Sequence, residues 1–234
     1  MSAELDWFGA MADLARRAEH RLAGAPADEV VEWAVETFAE GLVVATSLQD
    51  AVLVDLVSRV RPGVDVVFLD TGYHFAETIG MRDAVRSTYP VNLLSVRPRL
   101  SVAEQDAAYG PRLHDRDPDL CCRLRKVEPL EEALVPYSAW VTGVRRVEAP
   151  TRRRTRVVEW DARRSMVKVN PIVAWTDDDV DRYVAENGVL VNPLQHEGYR
   201  SIGCEPCTRR VGFGEPARAG RWAGTAKVEC GLHG

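Results

Sequence analysis

The stretch LVVATSLQDAVLVDLVSRVRPGVDVVFLDTG, residues 42–72, decides the fold. Residues 42–45 form a short unbroken apolar run, the pattern of a strand buried on both faces of a parallel sheet. The loop Thr46-Ser47-Leu48-Gln49-Asp50 follows, and the period then changes to that of an amphipathic helix ending at Val60. Residues 64–69 read as a second strand, closed by the turn Asp70-Thr71-Gly72. Downstream, the pattern predicts a helix over 75–88 and a strand over 91–96. Strand, helix, strand, helix, strand predicts an α/β fold with a doubly wound, mainly parallel sheet, whose ligands bind outside the carboxyl ends of the strands.

Upstream, apolar residues at Leu5, Phe8, Met11, Leu14, Ala15, Ala18 and Leu22 predict a helix over 4–22. Pro26 and Asp28 open a second helix, which Gly41 is expected to stop. Beyond the first three strands, a short helix is predicted over 101–108, then a polar loop over 109–118 and a helix capped by Asp119. Strands are predicted over 139–141, 157–160 and 166–169, and a helix runs from the cap Thr176 to Asn187-Gly188. The expected organisation is one structural domain in three parts: N-terminal helices over 1–40, the α/β core over 41–194 and an irregular tail over 195–234.

Polar signatures gather at the predicted carboxyl ends: Thr46 and Ser47, Asp70-Thr71-Gly72, and Thr142-Gly143-Val144-Arg145-Arg146. Each alone reads as a loop that needs Gly and Ser for its geometry. Three on one edge favour donors facing a nucleotide phosphate or ribose. Arg145, Arg146, Arg152, Arg153, Arg154 and Arg156, offset by Glu148 alone, form either an anion-binding loop or a solvated surface loop. Without an aromatic to stack bases, the run suits phosphate or sulfate better than a nucleic-acid strand.

Four of the five cysteines fall in two pairs, Cys121-Cys122 and Cys204-Glu-Pro-Cys207. Adjacent cysteines do not readily pair with each other, so a disulfide framework is disfavoured and a metal favoured. The pairs lie far apart in sequence and the first has no spacer, which favours an iron-sulfur cluster over zinc; unrelated buried thiols are the third reading. Arg123, Arg125 and Lys126 would crowd around the first pair, or else form a solvated basic face. Cys230 reads as an incidental thiol or a mobile nucleophile, and the residues alone do not choose; Gly220, Gly224, Gly231 and Gly234 are expected to act as hinges that let the segment swing.

The net charge of −5 over 234 residues excludes a bulk nucleic-acid or membrane-surface binder. No apolar run is long enough to span a bilayer and the N-terminus lacks a basic leader, so the expectation is a cytoplasmic protein without a membrane or nucleic-acid partner.

Together, Phe68-Leu-Asp-Thr-Gly-Tyr73, Cys121-Cys122-x-x-x-Lys126, Thr142-Gly-x-Arg-Arg146, Ser201-Ile-Gly-Cys-x-Pro-Cys-Thr208, Gly220-Arg-Trp222 and Glu229-Cys-Gly-Leu-His233 resemble the assimilatory adenylyl-sulfate reductases. The resemblance covers residues 41–233. It implies an adenine nucleotide α-hydrolase-like (Rossmann-like) fold with a C-terminal cluster-binding tail, and a 4Fe-4S cluster on Cys121, Cys122, Cys204 and Cys207. It implies Cys230 as nucleophile, adenylyl sulfate as substrate, thioredoxin as reductant, and a place in sulfate assimilation toward cysteine. Lys126 matches a lysine placed between cluster and substrate, and Arg218 and Arg221 match arginines that contact the phosphosulfate. Gly143 and Arg152 match nucleotide-contacting positions, joined by Thr46, Ser47, Leu69 and His233. The first loop lacks the Ser-Gly-Gly-x-Asp-Ser of ATP-hydrolysing relatives, which argues against ATP and against tRNA sulfur insertion on the same fold. The alternatives kept open are a 3′-phosphoadenylyl-sulfate reductase or dual-substrate enzyme and, more distantly, a zinc-bound interaction or nucleic-acid module. Whether the chain forms a homo-oligomer is left open. His74, His114 and His196 are not spaced for a shared metal site.

Overall fold

The computed structural model describes residues 2–232, with side chains described over 7–232. Two helices, α1 (Ser2–Leu22) and α2 (Ala27–Phe38), lead into β1 (Leu42–Thr46). The alternation α3 (Val52–Val60), β2 (Val64–Leu69), α4 (Ala76–Thr88), β3 (Val91–Val96) follows. Four short helices come next: α5 (Val102–Tyr109), α6 (Leu113–Arg116), α7 (Pro118–Cys122) and α8 (Glu128–Leu134). The chain then forms β4 (Ala139–Thr142), β5 (Val158–Asp161), β6 (Met166–Val169) and α9 (Asp177–Asn187).

The six strands form one sheet in the order β3-β2-β1-β4-β6-β5, parallel except for β5 at the edge. Because β1 lies between β2 and β4, the chain leaves it toward one side and later returns on the other. This reversal opens a crevice at the carboxyl ends of β1 and β4. The period-two alternation of a strand assigns the faces. Val44, Val66, Phe68 and Val141 pack in one layer with Val31, Ala34 and Val57, whereas Val43, Val67 and Trp140 pack in the other with Leu130 and Leu134 of α8. Helix α1 covers the open edge, and Glu19 accepts a hydrogen bond from the otherwise unpaired Val158 N–H at 2.9 Å.

The departures from the expected elements have local causes. Helix α2 ends at Phe38, with Ala39 at φ 43°, and Gly41 serves a different purpose. A Cβ at Gly41 would collide with the Ser138 hydroxyl, and its carbonyl accepts from Ser138 N at 2.9 Å. The cap of α7 is Asp117, whose carboxylate accepts from Leu120 N at 2.9 Å, not Asp119, which lies in the first turn. The loop over 109–118 contains α6, and β5 starts at Val158. A five-residue π-helical turn, Arg123–Val127, joins α7 to α8. Among the described residues, no helix is long and apolar enough to cross a membrane.

Candidate active site and cysteine pocket

The carboxyl ends of β1, β2 and β4 form one wall of a cleft, and the tail forms the other. Thr46, Ser47, Leu69 and Gly143 line the sheet side, above an apolar floor that includes Leu53, Phe68 and Ile172. Lys126, Arg152, Arg218, Arg221 and Cys230 line the remainder. Thr46 also closes its own turn, its hydroxyl accepting from Leu48 N at 3.2 Å. A Cβ at Gly143 would meet nothing nearer than 3.9 Å, so packing within the protein does not demand glycine there. His233 lies outside the described residues.

The tail is tied to the β1 loop by amides. Gln49 accepts from Ile202 N at 3.0 Å through its side chain, and from Asn192 N at 3.0 Å and Gln195 Nε2 at 2.8 Å through its carbonyl. Asn192, wholly buried, donates to Thr78 Oγ1 at 3.0 Å and accepts from Leu194 N at 3.2 Å. Further along, Glu205 N donates to the Tyr73 carbonyl at 2.7 Å, and Thr208 and Arg221 form an isolated bridge. Gly220 abuts the Arg209 carbonyl so closely that no side chain would fit; its role is packing, not the freedom expected of a hinge.

Cys121, Cys122, Cys204 and Cys207 line one small pocket next to the cleft, together with Tyr73, Lys126 and Trp222. None of the five cysteines is in a disulfide. Burial and then the neighbouring thiols push Cys121 up to about 12, and burial with Cys204 pushes Cys207 up to about 11. Burial raises Cys122 as well, and thiols so crowded are a donor set that a cationic centre would relieve. Among the described residues, no three His, Cys, Asp or Glu side chains are arranged to hold one metal ion. Four thiols meeting in one pocket fit the all-thiolate donor set of a metal centre.

The π-helical turn sorts the basic residues beside this pocket. Arg123 turns to solvent, its side chain 62% exposed, and pairs with Glu128 at 3.5 Å. Arg125 is buried, donating to the carbonyl of Thr71 and to Gln105 Oε1 at 3.0 Å, with its guanidinium 5.1 Å from the Tyr73 ring centroid. Lys126 is the residue common to pocket and cleft. Burial pulls its pKa down, but the neighbouring Cys204, Cys230 and Cys122 outweigh that and raise it.

The arginine run divides similarly. Arg153, Arg154 and Arg156 are exposed, whereas Arg145 and Arg152 face the cleft. Arg145 pairs with Asp177 at 2.9 Å. Arg152 pairs with Glu148 and, from the tail, with Glu229, Nε to Oε1 at 2.8 Å and Nη2 to Oε2 at 2.9 Å. Trp222, backbone left-handed at φ 49°, lies under three cations: Arg221 at 4.6 Å, Lys227 at 5.5 Å and Arg218 at 5.8 Å from a ring centroid. Burial, followed by the fields of Arg152 and Arg221, lowers the Arg218 pKa, the mark of a site with positive charge in excess. Glu229, Gln49, Asn192 and Trp222 were not among the site residues expected from sequence. For Glu229 a signal existed: it is the single acid between Pro216 and Leu232 and directly precedes Cys230.

A family model described as the phosphoadenosine phosphosulfate reductase domain matches residues 41–210. The chain belongs to this family. Within it, the chain is similar to the adenosine 5′-phosphosulfate reductase of Streptomyces coelicolor, 61% identical over 94% of each chain. It is also similar to the enzyme of that name from Mycolicibacterium smegmatis, 58% identical over 94% of each. A crystal structure of phosphoadenylyl-sulfate reductase from Candida auris, in a phosphate complex, superposes with a TM-score of 0.71 at 30% identity, covering 83% of this chain and 96% of that one. Candida glabrata FMN adenylyltransferase, at 11% identity and a TM-score of 0.57, shares the fold alone. The adenine nucleotide α-hydrolase-like architecture is thus that of the family, and the cleft lies at its topological switch point.

Proposed function

We propose that the protein reduces adenylyl sulfate to sulfite and AMP, with Cys230 as nucleophile. The observation that carries this reading is the convergence of Cys230 with Lys126, Arg218 and Arg221 on one cleft at the strand ends. The names of the relatives at 61% and 58% identity support the substrate. The Cys230 thiolate attacks the sulfur of adenylyl sulfate, the bond from sulfur to the bridging oxygen breaks, and AMP leaves with that electron pair. Lys126, Arg218 and Arg221 hold the anion and spread the charge that develops on the leaving phosphate. The product is a cysteine S-sulfonate on Cys230. A dithiol protein, thioredoxin in this reading, then attacks the Cys230 sulfur; sulfite leaves with a mixed disulfide formed, and its second thiol resolves that disulfide. The two electrons come from the dithiol.

Cys121, Cys122, Cys204 and Cys207 are the residues that would hold a 4Fe-4S cluster, and their shared pocket supports that assignment. When bound, the cluster supplies a covalent tie between α7 and the tail and a charge centre next to Lys126. The same reading treats residues 1–40 as a packed scaffold, 41–194 as the nucleotide-binding core and 195–234 as the catalytic tail. It places the enzyme in the reducing cytoplasm, where such thiols persist.

The second reading, a reductase of the 3′-phosphorylated nucleotide, is favoured by the name of the Candida auris neighbour. One experiment tests both. Anaerobically purified protein is incubated with either sulfonucleotide in the absence of thiol, and intact and peptide masses are recorded. The expected result is one sulfonate on Cys230, formed faster from adenylyl sulfate, with no adduct on Cys230→Ser. An adduct on another cysteine overturns the nucleophile, and preference for the 3′-phosphorylated nucleotide moves the assignment to the second reading.

A further inference from the structure

The Glu229 carboxylate is the most heavily bonded group of the tail. Besides its two bonds to Arg152, Oε2 accepts from Arg218 Nη2 at 3.0 Å and Oε1 accepts from the Thr151 hydroxyl at 3.1 Å. Burial opposes its ionisation, yet the bonds and fields of Arg152 and Arg218 prevail and hold its pKa below the usual carboxylate range. The surrounding charges are Arg152, Arg218 and, across Arg152, Glu148. Two consequences follow from the geometry. The bidentate bond fixes the backbone one residue before Cys230 to the loop after β4, which sets where the thiol enters the cleft. It also aligns Arg218. Both hydrogen bonds of that guanidinium, to Glu229 and to the Val228 carbonyl at 3.0 Å, use Nη2, so among the described residues its other N–H groups have no hydrogen-bond partner and remain for an anion in the cleft.

We propose that Glu229 is a positioning residue for the sulfonation step: it docks the tail on Arg152 so that Cys230 faces the substrate sulfur, and it turns Arg218 toward the substrate anion. This rests on the function proposed above. Glu229 does not touch the reacting atoms. It acts through the two arginines, so losing its charge slows the attack while the cleft that receives the nucleotide stays intact.

The test uses the full chain, purified anaerobically, as wild type, Glu229→Gln and Thr151→Val. Each is mixed with saturating adenylyl sulfate without thiol, the rate of S-sulfonate formation is followed by mass, AMP affinity is measured in parallel, and tail cleavage by a protease is timed without nucleotide. For Glu229→Gln the expected result is at least about tenfold slower sulfonation and several-fold faster tail cleavage, with AMP affinity unchanged within about twofold. Thr151→Val, which removes one neutral bond to the same carboxylate, should move both readouts in the same direction by about two- to fivefold. A Glu229→Gln protein that sulfonates at the wild-type rate, or one whose AMP affinity falls as far as its rate, overturns the inference. Should Glu229→Gln fail to fold, Thr151→Val decides, and unchanged rates there overturn it. Wild type that forms no S-sulfonate sinks the proposed function instead, and tail cleavage still reports whether Glu229 docks the segment.

Discussion

In the sheet, Val43, Val44, Val64, Val66 and Phe68 have no exposed surface, and their neighbours across the layers are apolar. In the tail, after Leu194, the buried side chains are few: Ser201, Ile202, Cys204 and Trp222. Apart from Ile202 and Tyr199, which pack with Phe75 and Leu194, what holds the tail is a series of individual bonds: Gln49 to Ile202, Tyr73 to Glu205, Cys207 to Trp222, and Arg152 and Arg218 to Glu229. The sheet is stabilised by area removed from water, a diffuse force that tolerates local charge changes. The tail depends on charge and donor geometry, so neutralising one group matters more there than deleting a methylene. The chemistry lies on the seam between the two.

Removing a thiolate from the cysteine pocket should separate the regions most sharply. Cys204→Ser is expected to be colourless as purified, to lose nearly all sulfite production and to have a protease-sensitive tail. Its far-UV circular dichroism should match wild type, because among the described residues the α-helices and strands lie outside the tail, which contributes only short 3-10 turns. A collapse of the whole spectrum would show that the regions are not separable.

A smaller loss is expected from Arg221→Ala. Arg221 donates to the Ile202 carbonyl at 3.1 Å and stacks on Trp222, while among the described residues its buried Nε has no hydrogen-bond partner. Losing a charge-assisted contact of about 1.5–3 kcal/mol should reduce kcat/KM at least about tenfold, with the thermal midpoint little changed. Unchanged kinetics would strike Arg221 from the site.

The smallest effects on turnover are expected where the opposite force acts. Leu22→Ala, at the buried end of α1, should cost about 2–5 kcal/mol of stability and leave KM unchanged. Acidification sharpens the contrast from the other side. Because the Glu229 pKa is depressed below 4.5, its docking energy is fully present above that value and fades only as pH falls through the lower, folded-state value. Hydrogen exchange of the tail, corrected for intrinsic rates, should therefore stay flat from about pH 8 to about pH 5. Loss of protection well above pH 5 would mean that another group docks the tail.

The contrast also explains what could be read in advance. All six strands were legible because burial on two faces leaves unbroken apolar runs and burial on one leaves a period, and both are local signals. The meeting of Cys121 and Cys122 with Cys204 and Cys207 in one pocket was legible because cysteine is rare in this chain and falls in two pairs, whereas Cys230 was singled out by the resemblance alone. Gln49 and Asn192 were not, since a single amide that bonds a segment far along the chain leaves no pattern in its neighbours. Arg123 and Arg125, two residues apart on a predicted basic face, have opposite fates through a π-helical turn, which has no composition of its own. Gly41 and Gly220 were read as a stop and a hinge because a glycine forced by close approach looks the same in sequence as one chosen for freedom.

The pocket that joins Cys121 and Cys122 to Cys204 and Cys207 also orders events in time. Its two halves lie roughly eighty residues apart along the chain, and bringing such distant segments together carries a loop-closure cost that nothing within the pocket repays early in folding. The strands between them, β4 and β6, pair with the sheet and shorten that loop in space before the thiols meet. The pocket is therefore a late product of folding. On the function proposed above, a metal centre would enter a chain whose sheet is already assembled, because the set of four thiols is incomplete until Cys204 and Cys207 have been made.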